Sequence, residues 1–166
     1  MADFDGPAIL EVLVRHGVDF VVIGAWAAVA HGSPIPTRDV DVVPDPDRDN
    51  LARLSRALTE LDARIRLPGE EPLPFGHDAT SLASASFWNL TTSHGDLDIS
   101  FTPSGTQGFA DLRQGAIEIT LRGTPVLLAS LADIIRSKEA AGRDKDRRAL
   151  PILRELLAQQ LRDRRP

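Results

Sequence analysis

The short segment of residues 39–43 constrains the fold more than any other part of the chain. Its sequence, DVDVV, alternates charged and apolar residues with the period of two that is typical of a half-buried strand. Just upstream, residues 19–23 form an apolar run that predicts a buried strand ending at Gly24. Residues 25–31 then predict a short helix that is apolar on all sides and therefore buried. Residues 39–43 are thus predicted to be a strand with one apolar face and one charged face.

The charged face of this strand carries two carboxylates. Asp39 and Asp41 project together, because residues i and i+2 of a strand share a face and lie about 6.6 Å apart along it. Near a buried helix, the two carboxylates repel each other and lose hydration, and both costs are unfavourable unless a cation lies between the two groups. Two-metal phosphoryl-transfer sites use paired carboxylates to hold ions about 3.5 to 4 Å apart. The alternative is that both residues face solvent on an edge strand, which is the usual location of an Asp-x-Asp pair.

A later strand, predicted at residues 96–102, offers a third carboxylate. Asp98 lies in mid-strand between Leu97 and Ile99, whereas Asp96 directly follows the turn glycine Gly95 and could simply be exposed. We therefore select Asp98 to complete a site with Asp39 and Asp41. These three residues are predicted to be the catalytic residues and the metal ligands.

The order of the elements predicts an α/β or α+β protein with a mixed sheet flanked by helices. A helix that ends near Gly17 precedes the first strand, and a helix with leucines at 51, 54, 58 and 61 follows residues 39–43. Further strands are predicted at residues 86–92, 117–122 and 125–128, helices at 130–141 and 145–162, and a loop at 68–79. A chain of 166 residues fits one domain, with a core at 1–129 and a helical segment at 130–166 packed on it.

Composition excludes several classes of site. The chain has no cysteine, so it has no disulfide, no thiol nucleophile and no cysteine-based zinc site. It shows no basic, apolar leader and no apolar run of about 20 residues, and we expect a cytoplasmic protein. The net charge is −5, yet residues 136–166 contain ten Lys or Arg against five Asp or Glu. This basic segment either contacts phosphates or is a solvated, arginine-rich helix.

The pattern of strand, Gly24, buried helix, Gly32, Thr37-x-Asp39-x-Asp41 and a later apolar-Asp98-apolar strand resembles the nucleotidyltransferase fold of the DNA polymerase beta superfamily. The segment SLADIIRSKEAAGRDKDRRALPILREL is similar to the C-terminal helices of small bacterial members related to the AbiEii-type toxin nucleotidyltransferases. The resemblance covers residues 7–158 and implies that the C-terminal helices close the cleft. It also implies a possible role in a toxin–antitoxin system, with a cognate antitoxin as a partner.

The resemblance implies two Mg²⁺ ions and an NTP substrate. Asp39 and Asp41 would then bridge the metals, and Asp98 would bind the catalytic metal and orient or deprotonate an acceptor hydroxyl. The nucleotide-binding residues would include Thr37, together with Gly24 and Ala25, whose backbone N–H groups would contact the β- and γ-phosphates. Many members have Gly-Ser at the position of Gly24-Ala25, and related proteins often carry arginine where this chain has Pro36.

The two lysines of the chain, Lys138 and Lys145, both lie in the C-terminal segment SKEAAGRDKD, while the other seventeen basic residues are arginine. A flexible ammonium group suits a triphosphate. By the same resemblance, Lys138 would contact phosphate and Asp146 would orient it or the nucleophile. Lys145 is also predicted to be a nucleotide-binding residue. The alternative is a salt-bridged helix corner in which Asp146 pairs with Arg143 or Lys138.

Three hypotheses about function follow. The first is a Mg²⁺-dependent nucleotidyltransferase that moves a nucleoside monophosphate from an NTP to a hydroxyl of RNA, protein or a small molecule. The second is a catalytically silent member of the same fold that binds a nucleotide or a partner protein, as the residues Ala25 and Pro36 suggest. The third is an RNA-directed enzyme whose basic C-terminus holds tRNA, against which the pI of about 5.3 argues.

Overall fold

The structure is a computed structural model, and it describes residues 3–166. The helices are α1 (Gly6–Arg15), α2 (Gly24–Ala30), α3 (Arg48–Glu60), α4 (Ala79–Leu82), α5 (Phe109–Gly115), α6 (Leu131–Ala141) and α7 (Asp144–Asp163). The strands are β1 (Phe20–Ile23), β2 (Asp39–Pro44), β3 (Arg64–Ile65), β4 (Phe87–Thr92), β5 (Gly95–Ser100), β6 (Ile117–Leu121) and β7 (Thr124–Leu128).

The seven strands form one mixed sheet in the order β3-β4-β5-β2-β1-β7-β6. Strand β2 lies between β1, to which it is antiparallel, and β5, to which it is parallel. The β4–β5 hairpin and the β6–β7 hairpin extend the sheet on either side. The strand that carries Asp39 and Asp41 is therefore a central strand and not an edge strand, which removes the solvent-edge alternative.

The alternation of β2 determines how it packs. Val40 and Val42 are buried, and both belong to a continuous core that also contains Leu97 and Ile99 of β5. The aspartates that alternate with these residues therefore lie on the opposite face of the sheet. Helix α6 contacts α2, and its buried isoleucines join the same core.

Polar side chains set the starts of α3 and α6 where the sequence predicts them. Asp47 accepts hydrogen bonds from the backbone N–H groups of Asp49 and Asn50 at the start of α3. Ser130 accepts one from Asp133 N–H at the start of α6. Each oxygen satisfies an N–H group that has no partner within the helix, which stabilises a helix by about 1 kcal/mol. Helix α7 continues through Pro151.

One packing prediction was wrong. Helix α2 is not buried on all sides: Ala27 and Ala28 are buried, whereas Ala30 is exposed and Val29 is 40% exposed. Alanine offers little apolar area, so a helix rich in alanine can leave one side in water at a small cost. The all-apolar composition therefore predicted the helix but not its surroundings.

Three short elements were missing from the prediction. Strand β3 pairs with β4, and α4 begins with a capping box between Asp78 and Ser81 at the end of the predicted loop of residues 68–79. Helix α5 buries Phe109 and Leu112. A strand of two residues and a helix of four residues, such as β3 and α4, contain too little of the hydrophobic pattern to be recognised from it. Within residues 3–166, no helix is long and apolar enough to cross a membrane.

Candidate active site

Three carboxylates meet where β2 and β5 lie side by side. The parallel register places Asp39 opposite Asp96 and Asp41 opposite Asp98. Residues opposite each other share a face of the sheet, so the aspartates of both strands point away from the core. One carboxylate oxygen from each of Asp39, Asp41 and Asp98 lies within 4.8 Å of the other two. The structure thus brings together the three residues that the sequence analysis selected, and we call them the carboxylate cluster.

The carboxylate cluster is electrostatically unfavourable when no cation is bound. Burial, together with the negative charges of Asp39 and Asp98, raises the pKa of Asp41 to about 7. Burial also raises the pKa of Asp98, and Asp39 adds to this increase. Such a cluster gains much from a bound cation, because the cation offsets both the lost hydration and the mutual repulsion.

Gly24 lies directly against the cluster. It is the first residue of α2 and has a φ of +78°, which an L-residue with a side chain rarely adopts. A Cβ at this position would lie 2.8 Å from Cγ of Asp41. Both observations require glycine here. The start of α2, which includes Ala25, has no side-chain capping hydrogen bond, so its first N–H groups are not bonded to a capping side chain.

Thr37 orients one member of the cluster. Its hydroxyl donates a hydrogen bond of 2.6 Å to Oδ1 of Asp39. The sequence analysis assigned Thr37 to nucleotide binding, and the structure places it beside Asp39 at the start of β2. This bond fixes the orientation of the Asp39 carboxylate and so helps to keep the cluster in position to bind a ligand.

Lys138 and Lys145 lie near the cluster, although they belong to two different helices. Both ammonium groups lower the pKa of Asp41, against the larger effect of burial. Lys138 is mostly buried, with a side chain 12% exposed, and its Nζ lies 3.4 Å from Oδ1 of Asp146. The C-terminal helices therefore bring positive charge to the same side of the sheet as the aspartates.

Asp146 is fully buried and connects α6 to the start of α7. Besides Lys138, it accepts hydrogen bonds from Nε of Arg143 at 2.7 Å and from the Arg143 backbone N–H at 3.2 Å. Burial alone would raise the pKa of Asp146, but Arg143 and Lys138 hold it below its usual value. The salt-bridged helix corner that was the alternative interpretation is present. It also fixes Lys138 in position, which the phosphate-binding interpretation requires.

Arg66 is a residue of the site that the sequence analysis missed. It follows β3, and its Nη2 donates to Oδ1 of Asp98 at 2.6 Å, while its Nη1 lies 3.2 Å from Oδ2 of Asp96. Nη1 also donates to the carbonyl of Leu90 at 2.9 Å. The alternation Arg64-Ile65-Arg66 is too short to predict a strand, and it is the pairing of β3 with β4 that brings Arg66 to this face.

The sheet continues beyond Asp98 with a partly open surface on β4. Asn89 lies opposite Asp98, and Phe87 lies opposite Ser100, so both share the face of the carboxylate cluster. Phe87 is 59% exposed. An exposed aromatic ring two residues from Asn89 gives this side of the cluster an apolar contact for a ligand.

No family model and no curated protein matches the sequence. Among solved structures, the fold matches the lincosamide antibiotic adenylyltransferase LnuA in its lincomycin-bound form, with a TM-score of 0.62 and 14% identity over 93% of this chain and 99% of that chain. It also matches a putative nucleotidyltransferase from Thermotoga maritima, with a TM-score of 0.54 and 18% identity over 99% of this chain and 97% of that chain. At such identities the likeness concerns the fold. The chain has the nucleotidyltransferase fold, and the predicted mixed sheet flanked by helices is confirmed.

Proposed function

We propose that this chain is a Mg²⁺-dependent nucleotidyltransferase that transfers a nucleoside monophosphate from an NTP to a hydroxyl group of an acceptor. The observation that carries the proposal is the meeting of Asp39, Asp41 and Asp98 against Gly24 at the start of α2. The likeness of the whole chain to nucleotidyltransferase folds supports it.

The residues present fit a hard divalent cation. All three donors are carboxylate oxygens, the ligand type that Mg²⁺ prefers. Burial and the charges of Asp39 and Asp98 raise the pKa of Asp41 to about 7, and a bound cation would favour the ionised form of this group near neutral pH. Mg²⁺ held by Asp39, Asp41 and Asp98 would supply positive charge for the reacting phosphate and the departing pyrophosphate.

The triphosphate would lie between the start of α2 and the two lysines. The backbone N–H groups of Gly24 and Ala25 are candidates for contacts to the β- and γ-phosphates, since N–H groups at such a turn attract anions. Lys138, held by Asp146, and Lys145 would provide charge on the opposite side. The lack of a hydroxyl on Ala25 leaves backbone groups and lysines as the phosphate ligands.

The reaction is an in-line substitution at the α-phosphorus. The acceptor oxygen forms a bond to this phosphorus, the bond to the bridging oxygen of the β-phosphate breaks, and pyrophosphate leaves. Asp98 is the candidate to receive the hydroxyl proton, because burial raises its pKa and makes it a better base than an exposed aspartate. In this scheme Asp39 and Asp41 would hold the metal in position, and neither residue gains or loses a proton.

We propose a small hydroxylated molecule with an apolar portion as the acceptor. The exposed ring of Phe87 and the amide of Asn89 lie beside Asp98, where an acceptor must place its hydroxyl. The structurally similar LnuA was solved with lincomycin bound, which supports an acceptor of this size. The Arg-rich end of α7 is the feature that an RNA acceptor would use instead.

The test is transfer of label from each α-³²P-labelled NTP to a panel of hydroxylated small molecules, tRNA and proteins in the presence of Mg²⁺. We expect transfer that depends on Mg²⁺ and disappears in the Asp39→Asn and Asp41→Asn variants. Transfer that persists in both variants would contradict the mechanism. Replacing the exposed Arg164 and Arg165 with alanine would separate the acceptors, because RNA transfer and not small-molecule transfer should then become less sensitive to salt.

A second hypothesis is a catalytically silent chain of the same fold that binds a nucleotide or a partner. The observations that favour it are Ala25 and Pro36, which replace residues that related sequences use for phosphate contacts. This chain could then serve in a two-component system of the toxin–antitoxin type. Calorimetry with ATP, CTP, GTP and UTP, with and without Mg²⁺, tests it, since binding without turnover of any acceptor would favour this hypothesis over the enzyme.

A further inference from the structure

Arg66 binds the carboxylate cluster from outside it. Its Nη2 donates to Oδ1 of Asp98 at 2.6 Å, and its side chain is 29% exposed. The remaining contacts of the guanidinium, to the carbonyl of Leu90 and to Asp96, fix its plane. The arginine therefore approaches Asp98 in one orientation and is held there by groups that do not belong to the cluster.

This arrangement places a fixed positive charge next to Asp98, the carboxylate that a metal ion in the cluster would also bind. The charges of Asp98 and Asp39 both raise the pKa of the Arg66 guanidinium. The arginine therefore lies within electrostatic reach of two of the three proposed metal ligands. One oxygen of Asp98 is engaged by Arg66, and an oxygen of the same carboxylate lies within 4.8 Å of Asp39 and Asp41 oxygens. Arginine cannot lose its charge in this environment, so its effect is permanent.

We propose that Arg66 is a positioning residue and a resident counter-charge: it holds Asp98 toward the cluster and lowers the affinity of the cluster for divalent cations. The inference rests on the proposed function, because it takes the cluster as the metal site. Its consequence is a weak site in the free protein, which fills mainly when the metal arrives together with a triphosphate.

Two effects of Arg66 can be separated by substitution. Arg66→Met removes the charge and the hydrogen bonds, and we expect Mn²⁺ to bind on the order of tenfold more tightly, the effect of one charge a few ångströms away under water-like screening. Arg66→Lys keeps the charge but loses the planar fork that reaches Asp98, Asp96 and the Leu90 carbonyl. We expect its Mn²⁺ affinity to stay within about threefold of the wild type, while transfer activity falls in both variants.

The experiment is a calorimetric titration of the full chain with Mn²⁺ in the absence of nucleotide. Arg64→Met is the matched control, because Arg64 lies two residues before Arg66 and pairs with the exposed Asp62, which is not a member of the carboxylate cluster. Urea unfolding of each variant reports whether it is folded. If Arg66→Met does not fold, Arg66→Gln replaces it, since it removes the charge and retains a donor for Asp98.

Tighter Mn²⁺ binding by Arg66→Met or Arg66→Gln, with wild-type affinity in Arg64→Met, supports the inference. It does so even if no acceptor is ever found, so the proposed transfer can fail while the inference stands. Equal or weaker binding in the neutral variants overturns the inference and leaves the proposed function intact. Absence of Mn²⁺ binding in the wild type and in all variants overturns both the inference and the metal site.

Discussion

Replacing Asp41 with asparagine removes a buried carboxyl that the folded chain holds close to Asp39 and Asp98. Asparagine has nearly the same shape and no charge, so the packing against Gly24 is retained. We expect the Asp41→Asn variant to be more stable than the wild type at pH 8 when no metal is present, although it loses a central residue of the proposed active site.

The magnitude follows from the pKa of Asp41, which burial, together with Asp39 and Asp98, raises from 3.8 to about 7. Between these two values the folded chain keeps a proton that the unfolded chain has lost. The free energy of unfolding therefore falls as pH rises from about 4 to about 7, and the loss is complete above that range. Each pKa unit corresponds to about 1.4 kcal/mol, so the wild type loses about 4 kcal/mol at pH 8 relative to pH 4 through this group.

The assay is urea unfolding of the wild type and Asp41→Asn in EDTA at pH 5 and pH 8. We expect an advantage of several kcal/mol for the variant at pH 8 and an advantage about 3 kcal/mol smaller at pH 5. Adding Mg²⁺ should increase the stability of the wild type alone. Asp62→Asn is the control: Asp62 is exposed and has a φ of +49°, which asparagine tolerates. A variant that is no more stable than the wild type at pH 8 would refute the electrostatic argument.

Three further substitutions test other parts of the site. Gly24→Ala should destabilise the chain by at least about 2 kcal/mol in urea unfolding, because φ is +78° and a Cβ would meet the Asp41 carboxylate; an unchanged midpoint would show that the turn adapts. Lys138→Met should raise the KM for the NTP about tenfold or more, since it removes a mostly buried ammonium group. An unchanged KM would show that Lys138 only forms the ion pair with Asp146 and does not bind the nucleotide. Phe87→Ala should raise the acceptor KM several-fold in the transfer assay without altering nucleotide affinity or stability, because the ring is 59% exposed; a change in nucleotide affinity instead would place Phe87 on the donor side.

The carboxylate cluster was predictable because its information is local. The alternation of Asp39 and Asp41 with Val40 and Val42 determines which face each side chain takes, and the same pattern around Asp98 does so on β5. What the alternation leaves open is which strands are neighbours. The parallel pairing of β2 with β5 supplies that information, and it sets Asp41 opposite Asp98.

Arg66 was not predictable in the same way. Its partner Asp98 lies 32 residues along the chain, and the contact exists because β3, β4 and β5 lie in that order in the sheet. Strand β3 has only two residues, too few for periodicity to indicate a strand. The exposure of Val29 on α2 was missed for a related reason: composition reports how apolar a helix is, while neighbouring elements determine which of its sides is covered.

The distribution of charge around the cluster favours a ligand that carries both signs. Asp39, Asp41 and Asp98 present carboxylates on one side, and Lys138 and Lys145 bring ammonium groups toward the same space from the C-terminal helices. A free triphosphate would be repelled by the carboxylates, and a free cation would be repelled by the lysines and by the Arg66 guanidinium. A triphosphate complexed with a divalent cation would satisfy both sides at once, since its metal would meet the aspartates while its terminal phosphates would meet the lysines. In the proposed function, the stability that the free chain gives up by holding Asp41 in this cluster would have its counterpart in the binding of a metal–nucleotide complex.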